Sequence, residues 1–166
     1  MSESHDPLAR AHHYAKSKRI ELEEKGKLGH GTDGTVWATS RASALKLFEH
    51  CKGYDNELAC YRRLGNAGIH EIRGLAVPRL VDFDDSIMAV EMTIVQPPYV
   101  LDFGKVYFDH PPPYWSDEPL RQTMHAEGRE LFGRRWPEVL RVLAALQALG
   151  IYYVDPKPAN INFGDD

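Results

Sequence analysis

The chain has only two cysteines, Cys51 and Cys60, and they do not form a Cys-x-x-Cys pair. A disulfide framework or a cysteine-built metal site therefore has no basis in the sequence. The eight histidines contain no His-Glu-x-x-His pattern, and the adjacent His12 and His13 would point in different directions on a helix. No apolar run approaches the ~20 residues needed to span a bilayer. The stretch from Met1 to Arg10 lacks the apolar centre of a signal segment. The net charge of −4 gives no general pull toward nucleic acid or an anionic membrane. These absences lead to the expectation of a cytoplasmic protein with neither nucleic acid nor a membrane as partner.

The 166 residues suit one domain and are enough to bury a core. Residues 1–20 are polar and predict a loosely attached arm or short helix. Residues 21–166 read as a single domain, strand-rich over 21–95 and helical over 96–166, which is α+β. Lys25 to Trp37 predicts a strand-turn-strand, and Ser43 to Phe48 a short strand. Tyr54 to Leu64 has helical spacing. Pro78 to Phe83 and Ile87 to Val95 predict two strands around an Asp84-Asp85 turn. Prolines and aromatics alternate from Gln96 to Pro119, a composition that disfavours regular structure but predicts an ordered, packed loop. Leu120 to Phe132 and Trp136 to Leu149 predict helices. Ile151 to Val154 and Asn160 to Phe163 predict short strands.

Four motifs carry chemistry. Leu28 to Trp37 reads Gly-x-Gly-x-x-Gly-x-Val, with Gly29, Gly31, Gly34 and Val36. A dinucleotide-binding fingerprint would require a helix after these glycines. Here Thr35, Val36 and Trp37 favour a strand, and a Gly-rich hairpin can approach a triphosphate closely. Lys46 lies among apolar neighbours on the next strand, where an unpaired ammonium is costly. Glu57 begins the following helix and is the expected partner of Lys46, with Glu49 and Glu71 as competitors. The fourth motif, Asp155-Pro156-Lys157-Pro158-Ala159-Asn160, reads Asp-x-Lys-Pro-x-Asn. Its aspartate can accept a hydroxyl proton, its asparagine can hold Mg²⁺, and its lysine can neutralise a transferred phosphoryl group.

With these motifs in this order, the chain resembles the protein-kinase-like family. The resemblance spans Leu28 to Asn160. It implies a two-lobed fold, with a β-rich N-lobe (21–95) and a much reduced helical C-lobe (96–166), that takes ATP and Mg²⁺ as cofactors. Gly29, Gly31 and Gly34 would cover the phosphates beside Val36. Lys46 would hold them and pair with Glu57. Val90 to Thr93 would link the lobes, with the backbone at Glu91 and Thr93 reading the adenine. Asp155 would be the catalytic base, Lys157 would act near the γ-phosphate, and Asn160 would bind the metal. The family's His-Arg before the aspartate is Tyr153-Val154 here. Its Asp-Phe-Gly normally follows the asparagine, whereas Asp102-Phe103-Gly104 precedes it. Asp165 and Asp166 are therefore the expected second metal carboxylates. The implied activity is phosphoryl transfer to an unidentified hydroxyl acceptor, protein or small molecule. The alternative is a catalytically inactive nucleotide- or partner-binding module.

Overall fold

The computed structural model describes residues 6–165. Its chain order is α1 (Pro7–Lys18), β1 (Leu22–Gly31), β2 (Gly34–Thr39), β3 (Ser43–Phe48), α2 (Cys51–Asn66), β4 (Glu71–Ile72), β5 (Leu75–Ala76), β6 (Leu80–Asp84) and β7 (Ala89–Thr93). There follow β8 (Tyr99–Val100), β9 (Tyr107–Phe108), α3 (Glu118–Phe132), α4 (Trp136–Gln147), β10 (Ile151–Tyr152) and β11 (Ile161–Asn162). The fold is α+β. Asp166 lies outside the described residues. Among those described, no helix is long and apolar enough to cross a membrane.

Five strands form an antiparallel sheet in the order β1-β2-β3-β7-β6. The central strand β3 is buried along its whole length, and successive side chains serve opposite faces. Leu45 and Leu47 pack with Trp37 and Ala89 beneath α1. Ala44 and Phe48 pack with Tyr54, Leu58 and Tyr61 of α2 on the other face. Lys46 shares that second face, so its ammonium is brought to the side where α2 lies.

The N-terminal segment departs from the loose arm expected. Asp6 caps α1 by accepting from the Leu8 amide, and Ala11, Tyr14 and Ala15 are buried against the sheet. Arg10 donates to the carbonyls of Phe48 and Ile87. Tyr14 also donates to Glu91 at 2.9 Å. The apolar spacing of these few residues is masked in the sequence by the polar residues between them.

Glu91 is the anchor of that face. It is 0% exposed and accepts from Tyr14, from Ser43 and, through both oxygens, from Arg41. Its position between Leu45 and Asp82 uses its backbone in the sheet. The resemblance to the protein-kinase-like family implied an adenine link at Val90 to Thr93, read by the backbone at Glu91 and Thr93. Glu91 and the rest of Val90 to Thr93 belong to a strand paired on both sides, and the segment that leaves the sheet begins at Ile94.

Burial alone would raise the Glu91 pKa, but hydrogen bonds from Arg41, Ser43 and Tyr14 outweigh it and lower the carboxyl. Its folded pKa therefore lies below the unfolded value of about 4.3. The stabilisation is fully present above that value and is lost as pH falls through the folded pKa. Glu91→Gln should cost about 2–3 kcal/mol near neutral pH in urea denaturation. The cost should shrink as acid removes the same contribution from the wild type.

Candidate functional site

A cleft of about 760 Å³ lies between the β1–β2 hairpin and the segments that follow the sheet. The hairpin forms its roof. Gly34 closes the turn at φ +151°, and a Cβ there would stand 2.1 Å from the Leu47 carbonyl oxygen. Only glycine lets β2 leave the turn so close to β3. At Gly29 and Gly31 an added Cβ would meet nothing within 4 Å. Packing does not demand glycine at those two positions, and both line the cleft.

Lys46 stands at the back wall with Glu57 beside it. The Lys46 Nζ to Glu57 Oε2 distance is 2.7 Å, and Glu57 is 1% exposed. Tyr61, one turn along α2, donates to the other Glu57 oxygen at 3.1 Å. Asp102 approaches the same ammonium at 3.4 Å. Burial would lower the Lys46 pKa, but Glu57 and Asp102 outweigh it and raise it. The ammonium therefore stays charged at neutral pH.

The sequence order argued against Asp102, and the strand pairing explains why it reaches the site. The pair β8–β11 is antiparallel, with Val100 opposite Ile161 and Tyr99 opposite Asn162. The Leu101 amide continues the ladder by donating to the Asn160 carbonyl at 2.8 Å. Asp102 thus emerges beside Asn160 although 57 intervening residues (103–159) separate them in the chain. It takes a left-handed conformation, φ +63°, which an aspartate tolerates better than most residues. Phe103 is then fully buried, edge-on to Tyr61 at 5.6 Å and to Tyr153 at 5.8 Å. Asn56 of α2 donates to the carbonyls of Gly104 and Val106. These contacts fix Asp102 against both α2 and the segment before Asp155.

The Asp155–Asn160 loop forms the floor. The amides of Asn160 and Ile161 both donate to the Lys157 carbonyl, closing a tight turn. Asp155 receives Lys157 at 3.0 Å and Lys105 at 3.2 Å. Burial raises the Asp155 pKa, but hydrogen bonds from Lys157 and Lys105 outweigh it and lower it. The Lys105 ammonium also lies 3.9 Å from Asp33 at the hairpin tip, so one lysine spans roof and floor.

Gly29, Gly31, Gly34, Val36, Lys46, Glu57, Thr93, Lys157 and Asn160 all line this cleft. Asp155 borders it through Lys105 and Lys157. Glu91 faces the opposite side of the sheet. Asp165 is exposed and does not line the cleft. The carboxylate beside Asn160 is Asp102. Sequence reasoning passed over Asp102, although its Asp-Phe-Gly triplet was visible, and missed Lys105 and Asp33, which carry no motif signal.

Among the described residues no group of three or more His, Cys, Asp or Glu could hold a metal by itself. Asp102 and Asn160 offer oxygen donors of the kind Mg²⁺ prefers, and that ion usually takes only one or two protein ligands beside substrate phosphates. No protein-family model matches the chain, and no curated protein matches it.

Lys46→Met should cost about 3–5 kcal/mol near neutral pH, because it leaves Glu57 buried without its cation. Burial already holds the Glu57 pKa above its ordinary value with Lys46 present, and removing the cation should raise it further. Stability in the variant should be greatest below the unfolded pKa and fall as pH rises through the folded one. Urea midpoints at about pH 4 and about pH 8 check this, with the larger deficit expected at the higher pH.

Proposed function

We propose that the chain is a reduced protein-kinase-like domain that binds ATP with Mg²⁺ and transfers a phosphoryl group to a hydroxyl acceptor. One observation carries the reading. A buried, charged lysine held by a helix carboxylate faces a Gly-rich roof on one side and an Asp-x-Lys-Pro-x-Asn floor on the other. The sheet with α2 would be the N-lobe. The segment from Ile94 to Val95, which lines the cleft directly after β7, would be the link beside the adenine.

In this reading Lys46 holds the α- and β-phosphates and Glu57 holds Lys46. The open faces of Gly29 and Gly31 admit the phosphates beneath the hairpin. Asp102 and Asn160 would hold Mg²⁺, which when bound would neutralise charge on the phosphates. Asp155 orients the acceptor hydroxyl and takes its proton. The hydroxyl oxygen forms a bond to the γ-phosphorus while the bond to the β–γ bridging oxygen breaks. ADP departs with that electron pair. Lys157 and Lys105 lie where the transferred group would carry its negative charge.

A second reading, binding without transfer, is favoured by one feature. Two lysines already hold the Asp155 carboxylate and lower its basicity. The two readings separate in a single assay.

ATP with Mg²⁺ should raise the melting temperature, as a ligand of the folded state must. Gly29→Ala and Gly31→Ala should fold normally and lose part of that rise, whereas Gly34→Ala should destabilise the protein without nucleotide. With radiolabelled ATP, Asp155→Asn should reduce transfer by about a hundred- to ten-thousand-fold while leaving the ATP-induced rise in place. A melting temperature indifferent to ATP overturns both readings. Binding without transfer leaves the second.

A further inference from the structure

A second cavity, of about 350 Å³, lies against the floor loop and opens between α3 and α4. Its volume is within the range of small-molecule sites. The loop borders both cavities, and Lys157 lines both. Asp155 and Pro156 form part of the second cavity's wall.

The helix packing explains why the cavity is open. Gly128 on α3 meets the ring of Trp136, where an added Cβ would lie 2.3 Å from a ring carbon. Gly128 is the only buried residue of α3. Met124 and Leu131 of α3 line the cavity together with Leu140 and Leu143 of α4. Trp136 Nε1 donates to His125 Nδ1 at 3.4 Å, and Trp115 closes the side nearest Tyr152.

We propose that this cavity holds the phosphoryl acceptor, a small molecule bearing an alcoholic hydroxyl on an apolar, ring-sized body. The assignment rests on the transfer reading above. The indole rings of Trp115 and Trp136 and the apolar side chains of Met124, Leu131, Leu140 and Leu143 suit such a body, although Arg121 and Glu127 also line the cavity. Of the cavity's two carboxylates, Asp155 is the one on the floor loop that borders both cavities, and it would meet the hydroxyl. A peptide fits less well. It brings a backbone donor and acceptor at each residue, and on the α3 and α4 sides of the cavity the backbone groups are already bonded within the helices.

The test uses the full chain with Mg²⁺ and ATP. Benzyl alcohol serves as the apolar hydroxyl probe, glucose as a polar polyol and a serine-containing peptide as the macromolecular arm. Benzyl alcohol should change tryptophan emission saturably and yield benzyl phosphate with stoichiometric ADP, whereas glucose and the peptide should not be phosphorylated. Ala144→Trp, at an exposed position on α4 that lines the cavity, should fill the space. It should lose both responses to benzyl alcohol while keeping the ATP-induced rise in melting temperature. Gln147→Trp should act in the same way and guards against a folding defect in the first variant. Peptide phosphorylation that survives both variants overturns the proposal, as does tryptophan emission unchanged by benzyl alcohol in a protein that ATP stabilises. If ATP itself fails to stabilise the wild type, the transfer reading fails first and the acceptor assignment falls with it.

Discussion

A lysine ammonium buried between two carboxylates is the constraint on which the rest of the site depends. Lys46 cannot leave water alone without a penalty of several kcal/mol. Glu57 and Asp102 answer that penalty from different parts of the chain, one from α2 and one from the segment just after β8. Holding both requires α2 to lie against β3 and β8 to lie against β11. The ion cluster therefore depends on the same packing that forms the cleft. Phe103 makes the coupling mechanical, since its buried ring touches Tyr61 of α2 and Tyr153 before Asp155.

The opposite face of the sheet has its own buried charge. Glu91 collects Arg41, Ser43 and Tyr14, and through Tyr14 it ties α1 to the sheet. This network lies away from the cleft and holds the central strands from behind. Two carboxylates on neighbouring segments thus have opposite settings. Glu57 is satisfied by a lysine that faces the cleft, and Glu91 by groups that serve only the fold.

Local chemistry was readable in the sequence where it coincided with a contiguous pattern. The strand Ser43–Phe48 has the predicted limits, because its short apolar run around Lys46 is bounded by the polar Ser43 at its start and Glu49 after its end. The Gly-rich hairpin and the Asp155–Asn160 turn were readable because glycine and proline restrict the backbone locally. The pairing of β8 with β11 was not readable. Two-residue strands carry no periodicity, and their register is set by contacts across the chain. That pairing brings Asp102 to the cleft beside the Asn160 backbone, whereas Asp165 does not line it, an arrangement that linear order does not show. The role of Glu91 was hidden for a related reason, since its neighbours Tyr14 and Arg41 are distant in sequence. The docking of α1 rests on three buried side chains in an otherwise polar segment, too few to stand out.

Under the proposed function, nucleotide phosphates and a divalent cation would meet at Asp102, beside the Lys46 ammonium. Calorimetric titration of ATP with and without Mg²⁺ tests it most directly in the wild type, Asp102→Asn and Asp165→Asn. The account predicts that Mg²⁺ strengthens ATP binding in the wild type and in Asp165→Asn, and that Asp102→Asn loses most of this metal dependence. An undiminished metal dependence in Asp102→Asn, or its loss in Asp165→Asn alone, would contradict it.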